Sequence, residues 1–463
     1  MPDRHRVALI GITQQRAINL EFDEKMKFNL IRQTTSHDQS YNDIEPCSSD
    51  RCRLPYCYCS NQTIPGGLTV RNTPQFIALS INGPLDEKNY DTLEEIFFSS
   101  KYFNPDGCPI SGTVFLRGHN QTNYCLLRNV LQYGNIELGI TSNSSECPTV
   151  DCRVKDKNDK SPYVTWRSYR FYNETIDYRR MISKLTGLRP SSIMGYRSPN
   201  YEVNNKQIHW HILREHQFLY DSTLITREWD SPYYKQQQPS PLTWPHTMDF
   251  EANYDCSQGC YTQSFPGLWT IPIHMYQDFD GRNCTTIGSD HCRVPRTPER
   301  FAQYLKHNLN RHLYSNHAPF VMAFDSYWLN EPYMGWRQEG LKLFIEHTLR
   351  HHPNDVYFVR MIDIINWMKQ PVSLKQMKEG YLADIGLRAG CSEQHDVEIE
   401  RKCIDEKEKK SSKSNATSQA RSLLMIFDAV SEPLFRSDIV YYGTLSFFIF
   451  LIVTFIYDRI FAS

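Results

Sequence analysis

The 463-residue sequence has 14 cysteines but not one Cys-x2-Cys pair. The nearest approaches, Cys57-x-Cys59 and Cys256-x3-Cys260, are poor ligand spacings, which argues against a structural zinc module. Excess charge is also missing: 51 Lys and Arg face 52 Asp and Glu, for a net charge of -1. No global field would gather nucleic acid, and none is expected as a partner. No histidine lies between His119 and Ile208. There is no internal repeat, so solenoids are excluded. The opening MPDRHRVALIGITQQRAINLEFDEK holds only the short apolar run Val7 to Ile12 and no small-residue cleavage site. Either a signal peptide is missing from this sequence or targeting depends on the far end of the chain.

What is present is the composition of a folded, secreted-type protein: 40% hydrophobic and 13% aromatic residues. The cysteines fall in local groups: Cys47, Cys52, Cys57 and Cys59; Cys108 and Cys125; Cys147 and Cys152; Cys256 and Cys260; Cys284 and Cys292; Cys391 and Cys403. Their even number suits disulfides, expected within these groups. Asn-x-Ser/Thr sequons at Asn61, Asn120, Asn143, Asn173, Asn283 and Asn415 mark candidate glycosylation sites and place nearly the whole chain on the lumenal or extracellular side.

Ile439 to Tyr457 (IVYYGTLSFFIFLIVTFIY) carries no charge and is long enough to span hydrocarbon as a helix. The expectation is a single-pass membrane protein with its main domain outside the cytosol; a glycolipid-anchor signal is the rival reading. Arg436 and Arg459 flank the run symmetrically, so charge does not set its orientation.

Apolar runs alternate with amphipathic ones. PQFIALSI, GTVFLRG, NIELGIT, APFVMAFDSYW and DVYFVRM read as strands. DTLEEIFFSS, NYCLLRNVLQYG, PERFAQYLKHNLNRHLYSN, GLKLFIEHTLRHH and IDIINWMKQP read as helices. This alternation predicts an α/β fold with a mainly parallel sheet. The expected organisation is a polar segment over 1–46, a Cys-rich segment over 47–70, the main domain over 71–371, a charged Ser-rich stalk over 372–437 and the membrane segment with a short tail over 438–463.

The strings CRLPYCYCS, IPGG, TPQFIALS, NPDGCPISGTVF, GYRSP, YDST, WPHTMDF and CYTQSFPGLWTIP resemble, in order and spacing, the animal chitin deacetylases of the polysaccharide deacetylase (NodB homology) family, over roughly Cys52 to Pro371. The resemblance implies a distorted (β/α) barrel with a groove at the strand ends, and a divalent metal such as zinc as the family's cofactor. In that family two adjacent aspartates supply the catalytic base and a metal ligand, a His-x3-His motif supplies two more ligands, and a final histidine protonates the leaving amine.

At the matching positions this chain has Asn82 for the base, Gly83 for the ligand, Ile140 and Ser144 for the two histidines, and Asp325 for the last one. Asn has no basic site near neutral pH, Gly has no donor atom and Ile is no ligand. No catalytic residue and no metal are therefore expected. Arg197 in GYRSP survives, its presumed partner changed to Asn82, so that it either braces its loop or binds a ligand. Tyr201, Trp244, Trp269 and Trp328 fall in groove-lining strings and are candidates for stacking on sugar rings. His209 and His211 at i,i+2 are read as surface and groove residues, and His347-x3-His351 as a solvated helix face.

Three functions compete. The first is a catalytically silent, membrane-tethered deacetylase-like protein that binds chitin, another N-acetylated glycan or an extracellular matrix protein. The second is an amide-hydrolysing enzyme with a site rebuilt from Asp86, Asp249, His246, His274 or Asp325. The third is a structural or adhesion protein.

Overall fold

The computed structural model describes residues 44–48, 50–144, 166–203, 207–226, 242–287 and 293–379. All lie in the first of the two units into which the chain divides, Met1–Glu398 and Ile399–Ser463. The apolar segment Ile439 to Tyr457, Asn415 and the expected stalk beyond 379 fall outside them. Among the described residues no helix is long and apolar enough to cross a membrane.

The fold is built on β1 (Gln75–Gly83), buried almost throughout as expected for a central parallel strand, whose both faces are covered. It pairs in parallel with β2 (Gly112–Arg117), β12 (Phe320–Asp325) and β13 (Val356–Phe358). The sheet runs on through β3 (Ile136–Ser142), β4 (Gly195–Tyr196), β5 (Tyr220–Asp221) and β8 (Phe265–Thr270), and ends on β7 (His246–Met248), antiparallel to β8. Two short pairs complete it: β6 (Ile225–Thr226) with β9 (Ile273–His274), parallel, and β10 (Tyr276–Gln277) with β11 (Asn283–Cys284), antiparallel. The result is a curled, mixed α/β half-barrel. Among the described residues no ladder joins β12 to the far end of the sheet, but the Tyr276 hydroxyl donates to the Val321 carbonyl of β12 at 3.1 Å.

Strand alternation organises the interior. Phe76 and Ala78 of β1, Phe115 of β2, Tyr220 of β5, Trp269 of β8, and Val321 and Ala323 of β12 share one apolar cluster. The same parity carries β1 on to Ser80 and Asn82, β2 to Arg117 and β12 to Asp325. The inward face therefore changes from apolar to polar towards the C-terminal strand ends. The helices Pro298–Leu313 and Trp336–His351 pack on each other outside the sheet, with Phe301, Leu305 and Leu309 of the first and Leu341, Phe344 and Ile345 of the second buried.

Two sequence readings are adjusted, and the Cys-rich segment is given its place. The expected strand APFVMAFDSYW stops at Asp325, whose side-chain oxygen accepts from the Tyr327 and Trp328 amides and starts the short helix Ser326–Leu329. The core also continues past Pro371: Val372 and Met377 are buried in the interior cluster, and the Trp367 indole donates to the Val372 carbonyl at 3.0 Å. The Cys-rich segment does not stand apart. Its backbone pairs with the free edge of β7 through Thr247 N to Tyr58 O and Trp244 N to Asn61 O, both 3.0 Å, covering an edge that would otherwise be open to other chains.

The three bridges with both members described are local: Cys47–Cys59, Cys52–Cys57 and Cys256–Cys260. Cys108, Cys125 and Cys284 are disulfide-bonded as well. The sulfurs of Cys47, Cys52 and Cys59 lie within 4.8 Å of one another, but all are committed to disulfides and none is a thiolate ligand. Replacing Cys47 and Cys59 together by serine is expected to cost about 2–4 kcal/mol of stability, in the usual range for a native bridge. Calorimetry would show this as a lowered thermal midpoint, with faster proteolysis around residues 44–68.

Candidate active site

The polar mouth of the half-barrel is organised by a buried cation. Arg197, 1% exposed, follows β4 and points into the space beneath Asn82. Its Nη1 donates to the Asn82 side-chain oxygen at 2.9 Å and to the Ser80 hydroxyl at 2.8 Å. Its Nε donates to the Ser222 carbonyl at 2.9 Å, and Nη2 to the Ser222 hydroxyl at 3.0 Å and the Met361 sulfur at 3.8 Å. The guanidinium also lies over the Phe115 ring, 4.2 Å from its centre. Every one of these partners is neutral. Burial accordingly pulls its pKa down from the ordinary value, opposed by the fields of Tyr201, Tyr220 and Asp221.

Asn82 completes the contact by donating its amide to the Tyr201 hydroxyl at 3.2 Å. Tyr201 is held at a positive φ of 59°, and burial raises its hydroxyl pKa. Below them, Asp221 of β5 is fully buried and accepts from Thr223 Oγ1 at 2.5 Å and from Thr223 N and Trp210 Nε1, both at 3.2 Å. Burial outweighs these donors and lifts its pKa to about 6.

Four of the five positions expected to be degenerate behave as follows, the fifth being Asp325. Asn82 sits at the mouth, but its oxygen is taken by a cation. Gly83 has φ +145°, and a Cβ there would lie 1.9 Å from Ser326 Oγ and 2.8 Å from Ser326 Cβ. The volume a ligand side chain would need is filled by the first residue of the helix after β12. Ile140 is fully buried. On the same strand a Cβ at Gly139 would meet the Phe115 ring at 2.7 Å, so Gly139 faces inward and alternation turns Ile140 to the opposite face. Ser144 lies beyond the end of β3, its amide donating to Glu174 at 2.7 Å. An amide oxygen held by Arg197, a glycine, an outward isoleucine and a loop serine do not fit a divalent cation as a donor set.

Other candidates divide clearly. Trp244 and Trp269 are corrected from groove to core: they are 0% and 1% exposed, and Trp244 stacks on Trp367 at 5.6 Å. Neither offers a face to a ligand. Trp328 is half-buried, with the Arg337 guanidinium 4.2 Å over its ring. Asp325 has one oxygen in its helix cap, and Asp86 likewise accepts from Asn89 N at 2.9 Å. Asp249 accepts from Gly267 N at 3.1 Å. His246 is fully buried, bonds the Trp244 carbonyl at 3.0 Å, and burial pulls its pKa down to about 4. His274 is buried against the Thr243 carbonyl. These five do not gather around one point: Asp86 and Asp325 stand at the mouth, while the two histidines are packed away from solvent.

His209 is also corrected. It is 1% exposed, enclosed by Phe171, Tyr196 and Trp210, and burial lowers its pKa to about 3. His211 instead meets Gln263 at 2.6 Å. His347 and His351 stack at 3.8 Å, and the Lys306 ammonium lies 3.2 Å from His347 Nε2. Of the sequons, Asn120 is exposed and Asn61, Asn143, Asn173 and Asn283 are half-buried.

The residues that sequence reading passed over are Ser80, Ser222, Asp221 and Ser326. The period-2 pattern of β1 points to Ser80, since it shares a face with Asn82, and the YDST string holds Asp221 and Ser222. Nothing local marks Ser326.

A curled, mainly parallel sheet with its polar groups at the C-terminal strand ends, and an arginine from a GYRSP turn reaching the last inward residue of β1, agrees with the chitin deacetylase-like, polysaccharide deacetylase (NodB homology) fold that the sequence resembles. The chain is similar to Chitin deacetylase 8 of Bombyx mori, 26% identical over 340 residues that cover 72% of this chain and 81% of the relative. It is also similar to Chitin deacetylase 1 of Bombyx mori, 30% identical over 357 residues covering 74% of this chain and 60% of that longer relative. No family model matches the chain.

Among solved structures it is similar to a putative polysaccharide deacetylase from Mycobacterium smegmatis, at 15% identity and a TM-score of 0.38 over 67% of this chain and 95% of that one. A CE4 family pseudoenzyme from Bacillus anthracis shows 10% identity and a TM-score of 0.33 over 65% and 70%. At these scores neither structure decides anything about chemistry.

Two outcomes follow from the site. Gly83→Asp is expected to lose roughly 2–4 kcal/mol in denaturant unfolding, from strain at φ +145° and overlap with Ser326. Adding Ser326→Gly should recover the overlap part only. Separately, His209 has a folded pKa below its unfolded one, so its stabilisation is complete above about 6.5 and is lost as pH falls towards 3. His209→Phe should bind about one proton fewer on acid unfolding, visible as a shallower fall of stability with pH across that window.

Proposed function

We propose that this protein is a membrane-tethered, extracellular, catalytically silent deacetylase-like protein that binds chitin or another N-acetylated glycan. One observation carries the reading: where the family resemblance puts a carboxylate base, the chain has an amide whose oxygen accepts from the buried Arg197 guanidinium. An amide oxygen so placed is far too weak a base to take a proton from water at neutral pH. The neighbouring ligand position is closed by Ser326, which supports the same conclusion. The glycan class comes from the two Bombyx mori relatives, both named as chitin deacetylases. A matrix protein is the alternative partner on the same face.

In this reading Ile439 to Tyr457 is the single-pass anchor, the charged segment before it is the stalk, and the sequons and disulfides belong to a lumenal or extracellular domain. The rival reading, an amide hydrolase with a rebuilt site, has Asp86 and Asp325 at the mouth in its favour, but each has a carboxylate oxygen bonded to a helix N-terminus.

The test joins binding to turnover. The purified chain, incubated with chitin oligomers and with zinc or cobalt supplied, is expected to release no acetate while retaining the oligomers in equilibrium dialysis. Acetate release in proportion to bound metal would overturn the silent reading. Digestion with an N-glycosidase is expected to lower the apparent mass, and an unchanged mass would remove the extracellular placement.

A further inference from the structure

Three of the sequons, far apart in the sequence, meet at one place. β2 and β3 end side by side, and the chain after them stays joined: Gly118 N donates to Ser142 O at 3.1 Å and His119 N to Asn143 O at 2.8 Å. Asn143 N in turn donates to Glu174 O at 3.0 Å. Asn120 therefore follows one backbone partner of Asn143, and Asn173 precedes the other. The same turn reaches the mouth, since Asn123 N donates at 2.7 Å to the carbonyl of Leu85, in the loop that follows Asn82 and Gly83. Backbone pairing thus gathers Asn120, Asn143 and Asn173 along the β2–β3 side of the mouth.

The sequon side chains are held differently. Asn120 is exposed and Asn173 half-buried, and neither side-chain amide bonds to another described residue. The side-chain oxygens of Asn143 and Asn283 are instead sealed from solvent, and the Asn61 amide nitrogen is spent on the Cys59 carbonyl at 3.1 Å. Asn173 has a further feature. Its backbone N–H bonds the Tyr169 carbonyl one turn back, so the two side chains share a helix face, and the Tyr169 ring is 56% exposed. A large ring left in water one turn from a sequon offers a flat apolar face to the first sugar attached there.

We propose that Asn120 and Asn173 carry N-glycans that together screen the β2–β3 side of the mouth, the first sugar on Asn173 resting on the Tyr169 ring. The assignment rests on the extracellular placement above and adds which sequons are used and what they cover. The donor is a polyprenyl-diphosphate oligosaccharide of the secretory membrane. The asparagine Nδ2 bonds to C1 of the donor's first N-acetylglucosamine as the C1–O bond to the diphosphate breaks. The lipid diphosphate leaves with the electron pair, and an Nδ2 proton passes to a base of the transferase. The β12 side of the mouth, with Asp325 and the exposed Tyr327, holds no sequon. A slender polysaccharide enters freely from that side, whereas a broad protein surface meets the screen.

Peptide mapping tests the assignment. The full chain, made in a eukaryotic secretory host, is digested with a peptide N-glycosidase in heavy-oxygen water, which turns each occupied asparagine into a labelled aspartate. Label is expected at Asn120 and Asn173. If either is unlabelled while another sequon is labelled, the screen is wrong and the extracellular placement stands; if no asparagine is labelled, both fall. Hydroxyl-radical footprinting then tests the cover. In a chain carrying Asn120→Gln and Asn173→Gln, His119 and Tyr169 are expected to oxidise severalfold faster than in the unaltered chain, with Tyr333, 101% exposed, as the unchanged control. Equal oxidation of Tyr169 in the two chains would overturn the screen even with both asparagines occupied. If the double variant fails to fold, the unaltered chain before and after glycosidase digestion gives the same comparison.

Discussion

The buried guanidinium of Arg197 is the constraint on which the mouth of this fold depends. A cation 1% exposed must find acceptors, because it cannot keep its water. It finds them in Ser80, Asn82 and Ser222, residues from β1 and from the turn after β5, and in the Met361 sulfur at the start of a helix 164 residues downstream. One side chain thereby ties four distant segments together. Among the described residues no carboxylate bonds to it, and Asp221, held by Trp210 and Thr223, acts on the charge from a distance. Where the resemblance leads one to expect a carboxylate, residue 82 is an amide, which meets the Arg197 guanidinium and carries no charge.

The two positions set different conditions on a carboxylate. At residue 82 the condition is chemical, since an amide already occupies the place beside Arg197. At residue 83 it is steric, because Ser326 stands where a side chain would go. A fold can meet the first with one residue. The second requires the chain on both sides to give way, since the obstruction belongs to the helix that Asp325 caps.

Much of this was legible in the sequence because it depends on local pattern. The long apolar run from Gln75 set β1 and its inward series, which puts Asn82 at the mouth, and the GYRSP string named Arg197 and its partner. What escaped depends on which face a residue takes. Trp244 and Trp269 lie in strings read as groove-lining, yet pack as core, since an indole satisfies either role and only the curl of the sheet decides. Asp325 was read inside a strand running on to Trp328, and its place at the end of β12 and its capping function followed from a helix hidden in the aromatic string SYW, which by composition reads as strand. His209 alternates with His211 across a helix, and composition gives no sign that one is enclosed by three rings and the other bonded to Gln263.

The stapled segment on the edge of β7 has a consequence for how the molecule is made. Its contacts with Thr247 join residues 189 positions apart, so the sheet edge it covers is synthesised long after the segment itself. The segment can close its short disulfides early, but it has nothing to dock on until β7 and β8 exist. Contacts this far apart in sequence form slowly. Until the segment docks, the outer edge of β7 is open, and in that interval another chain has access to it.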